Sequence, residues 1–329
     1  MINFVQHRRW YFLFSALVIT AGIVAMVIST RTYPERSIVR LSIDFVGGTL
    51  FEPQFRVIEG KTPDTVLGTD LETVFENVGL TDVIAQQVGL TTVQNWQVRA
   101  NFTGNDLATI DKLAAGLKEL GDSKNLAFDE LHFRENYATV SPTIGGEVTT
   151  AALVATIFAS IVVLGWIIFA FRQLKNSFRF GVCALSAMIH DILVIISAMS
   201  IAGLIVGWEA DALFLTAVLT VVGYSVQDTI VLFDRIREND ARRRGEPFEL
   251  IVNRSVLETV QRSLMTQLAV AFILLSMFLI GGGQIRQFVG VLVVGLLSGT
   301  YSSIFIAVPL LVSWEKGEIP FVNRKARAA

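Results

Sequence analysis

Residues 212–233 read ALFLTAVLTVVGYSVQDTIVLF, an apolar run that holds a single acid, Asp228. A helix needs about 20 mostly apolar residues, rising 1.5 Å each, to cross about 30 Å of hydrocarbon. This run is long enough. An acid at that depth costs about 2.5–3.5 kcal/mol on insertion scales, which makes Asp228 a functional candidate by default. Five further stretches qualify: Trp10 to Ser29, Thr149 to Phe171, Phe180 to Gly207, Ser263 to Ile280 and Phe288 to Trp314. The expected fold is a membrane protein, an α-helical bundle of six transmembrane helices. Composition agrees, with 52% of the 329 residues hydrophobic and 17% charged. Soluble domains carry about 25% charge, so disorder is excluded and an ordinary soluble enzyme fits poorly. A formal net charge of -2 offers no electrostatic case for nucleic acid. One cysteine, Cys183, makes neither an internal disulfide nor a multi-cysteine metal site. His7, His132 and His190 lie in separate segments, so zinc chemistry is unsupported and no cofactor is expected.

Charge sets the expected orientation. Arg8 and Arg9 precede the first run, which is longer than a signal-peptide core and lacks a small-residue cleavage site, so it reads as an uncleaved anchor. With six spans, both termini and segments 172–179 and 234–262 share one side, which holds 16 of the 27 Lys and Arg residues. Short loops decide topology, so that side is expected to be cytoplasmic. The chain divides into 1–30 (terminus and first span), 31–148 (an exterior domain), 149–314 (five spans) and 315–329 (a cytoplasmic tail). The arginines at 242–244 read as topology determinants that touch anionic lipid.

Segment 31–148 has 17 acids against 10 bases. Val39 to Phe45 and Leu50 to Val57 read as strands around Gly47-Gly48. Thr69 opens a helix through Val78, with Glu72 as its capping partner. Asp82 to Val88 and Val93 to Phe102 read as a hairpin around Gly89. Asn105 caps a helix with Leu107, Ile110, Leu113 and Leu117 on one face, ending near Gly121. A strand, His132 to Val140, follows. The order β-α-β-β-α-β is that of an α+β ferredoxin-like domain.

Inside the spans, Asp191 and its neighbour His190 lie in the third run and Asp228, beside Gln227, in the fourth. Counted from the short loop near position 208, the two carboxylates fall within roughly 5 Å in depth. Arg262, counted from the last hairpin near Gln284, falls within about a turn of Asp228. Burial favours a neutral carboxyl and a nearby guanidinium a charged one, so a carboxyl passing between such settings handles protons. Asp228, Arg262, Asp191 and His190 are therefore candidates for a proton relay. The plainer reading is a static network, with Asp228 paired to Arg262 and His190 bonded to a carbonyl. Gln227 and Thr266 are supporting polar groups, and Thr266 and Gln267 read mainly as packing and local hydrogen bonding. Gly295 and Gly299 form a small-xxx-small pair suited to close helix contact. Residues 281–283, a run of three glycines, read as a turn.

These motifs are those of a known family. Ile43-Asp44-Phe45-Val46-Gly47-Gly48-Thr49, His190-Asp191, Gly223-Tyr224-Ser225-Val226-Gln227-Asp228-Thr229, Phe233 through Asn239, Arg262 and Gly299 through Phe305 together make the chain resemble the SecD/SecF family over essentially its full length. That family lies in the RND superfamily, whose members couple proton flow to work outside the membrane. The resemblance implies half of a twelve-span unit completed by SecD, associated with the SecYEG channel and often YajC. It further implies use of the proton motive force to draw preproteins outward, with protons as the coupling ion and no enzymatic activity. It places Asp228 and Arg262 at positions implicated in proton transport and His190-Asp191 at another intramembrane site. Asn usually precedes the fourth-span Asp in the family; Gln227 stands there here, one methylene longer. Gly145-Gly146, where segment 31–148 meets the second span, reads as a hinge.

Two other readings compete. An RND small-molecule efflux half normally carries a far larger exterior domain than segment 31–148. An intramembrane aspartyl protease would use two aspartates on adjacent spans, but its Gly-x-Gly-Asp and Tyr-Asp contexts are missing.

Overall fold

A computed structural model of the chain describes residues 4–33, 35–88, 93–102, 106–170, 172, 177–243, 245–281 and 283–318. Contacts divide it into two units, one built on Leu41–Ala152 and the other on Met1–Arg40, Leu153–Gly281 and Ile285–Ala329. Six helices among the described residues are long and apolar enough to cross a membrane.

In the helical unit, α1 (Arg8–Thr32) follows a short 3-10 turn, Val5–His7. Its inward stripe is mostly small (Ser15, Gly22, Ala25 and Ser29, with Met26 the one long side chain), whereas Trp10, Leu13, Leu17 and Val24 are exposed. Such inversion suits lipid, where apolar side chains gain nothing by turning inward and small residues let backbones approach. A Cβ added at Gly22 would lie 1.8 Å from Ser197 Oγ, and Ser29 Oγ meets Ser200 Oγ at 2.8 Å. Both serines belong to the third span, Ser177–Val206.

The second span is completed by α6 (Pro142–Ala170), and the third is α7 (Ser177–Val206). The fourth, α8 (Ala212–Arg242), is capped by Asp211, whose carboxylate accepts from Phe214 N at 2.7 Å. It outruns the expected end at Phe233 by more than two turns, because residues 234–242 lace it with ion pairs at helical spacing: Arg237–Asp234, Arg235–Glu238 and Arg242–Glu238. The fifth, α9 (Phe248–Ile280), likewise begins fifteen residues before the expected Ser263. Arg235 and Asn239 both bond Glu258 across the pair, at 2.6 and 2.8 Å. Segment 234–262, read as a loop, is therefore a helical hairpin with a turn at Gly245, whose φ of 102° suits glycine.

The last span is broken. α10 (Gly283–Ser302) passes into a π segment, Ser303–Ala307, and then α11 (Val308–Glu315). Pro309 has no N–H for the carbonyl four residues back and its ring would clash there, and the widened turn before it absorbs the conflict.

The other unit is a small antiparallel sheet with helices against it. Its elements are α2 (Ile43–Val46), β1 (Gly48–Phe51), β2 (Gln54–Val57), α3 (Gly68–Asn77), β3 (Thr81–Val88), β4 (Gln94–Asn101), α4 (Leu107–Ser123), β5 (Leu126–Phe128), α5 (Glu130–Glu135) and β6 (Tyr137–Val140). The strand order is β5-β2-β4-β1-β6, with β3 on β4. β1 and β2 both pair with β4, with Pro53 at the break between them. Phe51, Phe55, Leu71, Phe75, Val98, Leu113, Leu117 and Phe133 form its core, each fully buried. The ring of Phe51 meets those of Phe75 and Phe133 at 5.4 and 5.5 Å.

Several expectations for this unit are corrected. Val39 to Phe45 is not a strand; Ser42 Oγ accepts from Asp44 N and starts the helical turn α2. The cap of α3 is made by Asp70, whose carboxylate accepts from Leu67 N at 3.0 Å, while Glu72 reaches Ala85 N instead. Asp106 caps α4; Asn105, like Gly89, lies outside the described residues. His132 to Val140 is split, because Asp129 caps α5 through His132 N and only Tyr137–Val140 is strand. Gly145-Gly146 sits in the first turns of α6, with no loop there. A Cβ on Gly145 would lie 2.5 Å from Phe45 O, so glycine there permits close packing, while Gly146 has open space around it.

Candidate functional site

Asp191 is the most buried acid among the spans, 1% exposed at the middle of α7. Ser225 of α8 donates to its Oδ2 at 2.5 Å, Ser302 of α10 to the same oxygen at 2.6 Å, and Ser298 to Oδ1 at 2.6 Å. His190 Nδ1 lies 3.2 Å from Oδ1. One carboxylate thus ties together three spans.

Backbone approach brings these groups together. A Cβ added to Gly295 would lie 2.2 Å from Val221 Cγ2, and one on Gly299 3.3 Å from Ser225 Cα. Glycine at both positions lets α10 lie directly on α8, as the small-xxx-small spacing suggests. Ser298 and Ser302, three residues beyond each glycine, follow onto the same face and reach Asp191.

From Asp191 the polar contacts continue outward. His190 Nε2 meets Ser15 Oγ of α1 at 3.1 Å, Ser15 meets Tyr301 Oη at 3.4 Å, and Tyr301 donates to Tyr11 O at 2.9 Å. A cavity of about 300 Å³ lies beside this line, between Phe14 and Val18 of α1 and Leu297 and Tyr301 of α10. A second hydroxyl pair, Thr229 and Ser303 at 2.9 Å, joins α8 to the π segment.

Asp228, 9% exposed, is one turn along α8 from Ser225 and looks elsewhere. Gln267 of α9 donates to its Oδ2 at 2.7 Å. The expected pairing with Arg262 is not made. Among the described residues Arg262 has no carboxylate within 4.0 Å, and it is exposed. Counting along a helix gives depth but not azimuth: Arg262 and Gln267 are five residues apart, about 140° around the helix axis at 3.6 residues per turn. If Gln267 faces Asp228, Arg262 cannot. The same geometry turns Gln227, about 100° from Asp228, to the exposed side of α8. Thr266 bonds its own helix, to the carbonyls of Arg262 and Ser263. Gly223 is exposed and Tyr224 is 40% exposed, both away from the buried cluster. Asp44, Gly47 and Gly48 belong to the other unit, where φ values of 79° and 112° require the glycines.

Sequence reasoning does not single out Ser15, Ser225, Ser298, Ser302 or Tyr301, and it gives Gln267 only packing and local hydrogen bonding, not a bond to Asp228. A serine in an apolar span is a weak signal, because its hydroxyl can bond the carbonyl one turn back. The usable clue is position, with Ser225, Tyr301 and Ser302 inside the family motifs and Ser298 next to one.

Six apolar spans, three of them joined at one buried carboxylate, and a separate small α+β unit define a multi-pass membrane protein with titratable groups between its helices. The family model for the protein export membrane protein SecD/SecF, C-terminal, matches residues 123–317. The chain is 42% identical to the protein translocase subunit SecF of Anaerolinea thermophila over 97% of this chain and 96% of that one. It is 32% identical to the protein translocase subunit SecDF of Bacillus subtilis, over 96% of this chain and 38% of that one. The crystal structure of SecDF from Thermus thermophilus, titled a translocon-associated membrane protein, superposes with a TM-score of 0.71 at 26% identity. That match covers 96% of this chain and 39% of the other, so the chain spans about two fifths of the solved protein. The chain belongs to the SecD/SecF family.

Proposed function

We propose that this chain is a protein-export subunit that works with a SecD partner and uses the proton motive force to help move preproteins through the SecYEG channel, with YajC as a further associate. The relatives support this reading: one matched over its full length is a translocase subunit, and in others the corresponding part is joined into a longer SecDF chain. The observation that carries the coupling is a set of titratable side chains held between spans, with Asp228, Asp191 and His190 all buried. On this reading Arg262, exposed on α9, meets a charge on the partner. On this reading both termini are cytoplasmic and the α+β unit is exterior. We infer a ferredoxin-like domain, since β1 and β2 count as one strand broken at Pro53, β5 and β6 line the same edge of it, and the order is then β5/β6, β1/β2, β4, β3 with helices α3 and α4 between strands.

Moving one charge through 100 mV supplies about 2.3 kcal/mol, enough to shift a two-state equilibrium roughly fiftyfold. A protease is disfavoured, because Asp191 turns to α10 and Asp228 to α9, so the two carboxyls do not share a substrate. The test is Asp228→Asn in membranes with the partner present. Stimulation of late translocation by the proton motive force should vanish while assembly persists; undiminished stimulation would refute the proton role.

A further inference from the structure

We propose that Asp191 works as a fixed hub and not as the proton carrier. Ser225, Ser298 and Ser302 are then positioning residues that keep its carboxylate occupied, leaving Asp228 to take up and release the proton. This deepens the proton-driven reading and rests on it.

An ionised carboxylate has about four acceptor positions, two on each oxygen. At Asp191 all four are used: Oδ1 by Ser298 and His190 Nδ1, Oδ2 by Ser225 and Ser302. Four donors favour its ionised form, and a proton can join it only if one of them stops donating, as when Ser302 turns its O–H to Gly299 O at 3.2 Å or His190 changes tautomer. The donors are themselves confined, since Ser225 and Ser302 are 2% and 0% exposed and Ser298 is 7% exposed.

Asp228 is built differently. One described donor, Gln267 Nε2, occupies one of its oxygens. The carboxyl lies at the margin of the buried zone. The amide of Gln267 carries both a donor and an acceptor, so a rotation of that amide lets it bond the neutral carboxyl as well as the charged one. The titratable groups around Asp191 are His190 on α7, Asp228 a turn along α8, Tyr301 on α10 and Tyr11 on α1; no other acid from these helices faces it among the described residues. Two carboxyls at similar depth are thus divided by their donors into one saturated and one open.

Infrared difference spectra of the full chain with its partner, recorded as pH is lowered, read this directly through the carbonyl stretch of a protonated carboxyl. The band that grows in the wild type should be lost in Asp228→Asn and kept in Asp191→Asn. In Ser298→Ala/Ser302→Ala a second band should appear and be removed by adding Asp191→Asn. A purely structural role for the serines would move stability without creating that band. The proposal is overturned if Asp191→Asn removes the wild-type band, or if the serine variant shows no new one. Should the double variant fail to assemble, Ser225→Ala supplies the same measurement. If neither aspartate variant changes the wild-type band but the serine band appears, the hub stands and the proton role of Asp228 fails.

Discussion

Replacing Gly295 with alanine tests whether helix approach builds the Asp191 cluster. The new Cβ would lie 2.2 and 2.7 Å from the two Val221 methyls and 3.0 Å from Val221 Cβ. Carbon atoms rest about 3.5–4.0 Å apart, so α10 and α8 must separate locally by more than about 1 Å. Overpacking of this kind costs about 1–3 kcal/mol. The separation also carries Ser298 and Ser302 away from Asp191, where their bonds of 2.6 Å have little slack before they fail as O–H···O contacts. Each hydrogen bond to a charged group is worth about 1.5–3 kcal/mol, so with both lost and the overpacking added the total is on the order of 4–9 kcal/mol. Gly223→Ala is the control: it lies on α8, nothing stands within 4 Å of the added Cβ, and removing glycine from a helix gains up to about 1 kcal/mol. Denaturant unfolding of the purified chain in detergent should show a large loss for Gly295→Ala and none for Gly223→Ala. Equal stability of the two variants would refute the claim that glycine at 295 is required by contact.

Two further outcomes are expected. Phe51→Ala removes a fully buried ring at the centre of the α+β core and should cost that unit about 3–5 kcal/mol, read as faster amide exchange in β1 and β4 with α7 and α8 unaffected. Arg8 donates to both carboxylate oxygens of Glu318, at 3.2 and 2.6 Å, and those bonds hold the Glu318 carboxyl below the usual glutamate range. A lowered value means that docking of the tail is complete above the ordinary glutamate pKa and is lost as pH falls through the lowered one. The contribution is small because the Glu318 side chain is 43% exposed. A spin label at residue 317 should therefore gain mobility in acid, and Arg8→Gln should move that transition upward; an unmoved transition would refute the pairing.

The six spans and the α4 face of Ile110, Leu113 and Leu117 are legible in the amino-acid sequence, because length and periodicity are properties of the chain alone. So is the helix contact at Gly295 and Gly299, since small residues four apart have few uses in an apolar span. The helical hairpin beyond Phe233 is not, because charged residues end an apolar run without ending a helix. The π segment escapes for another reason: Pro309 signals a break, but how the helix absorbs it depends on its neighbours.

For the site, the sequence alone determined which acids are buried and at roughly what depth, because depth follows from counting residues at 1.5 Å each. Partners were decided only in three dimensions. Asp191 gains three serines from two other helices, and Asp228 gains Gln267 instead of Arg262. The physical reason is rotation about the helix axis: each residue turns about 100°, and packing against neighbours chooses which of those directions faces inward.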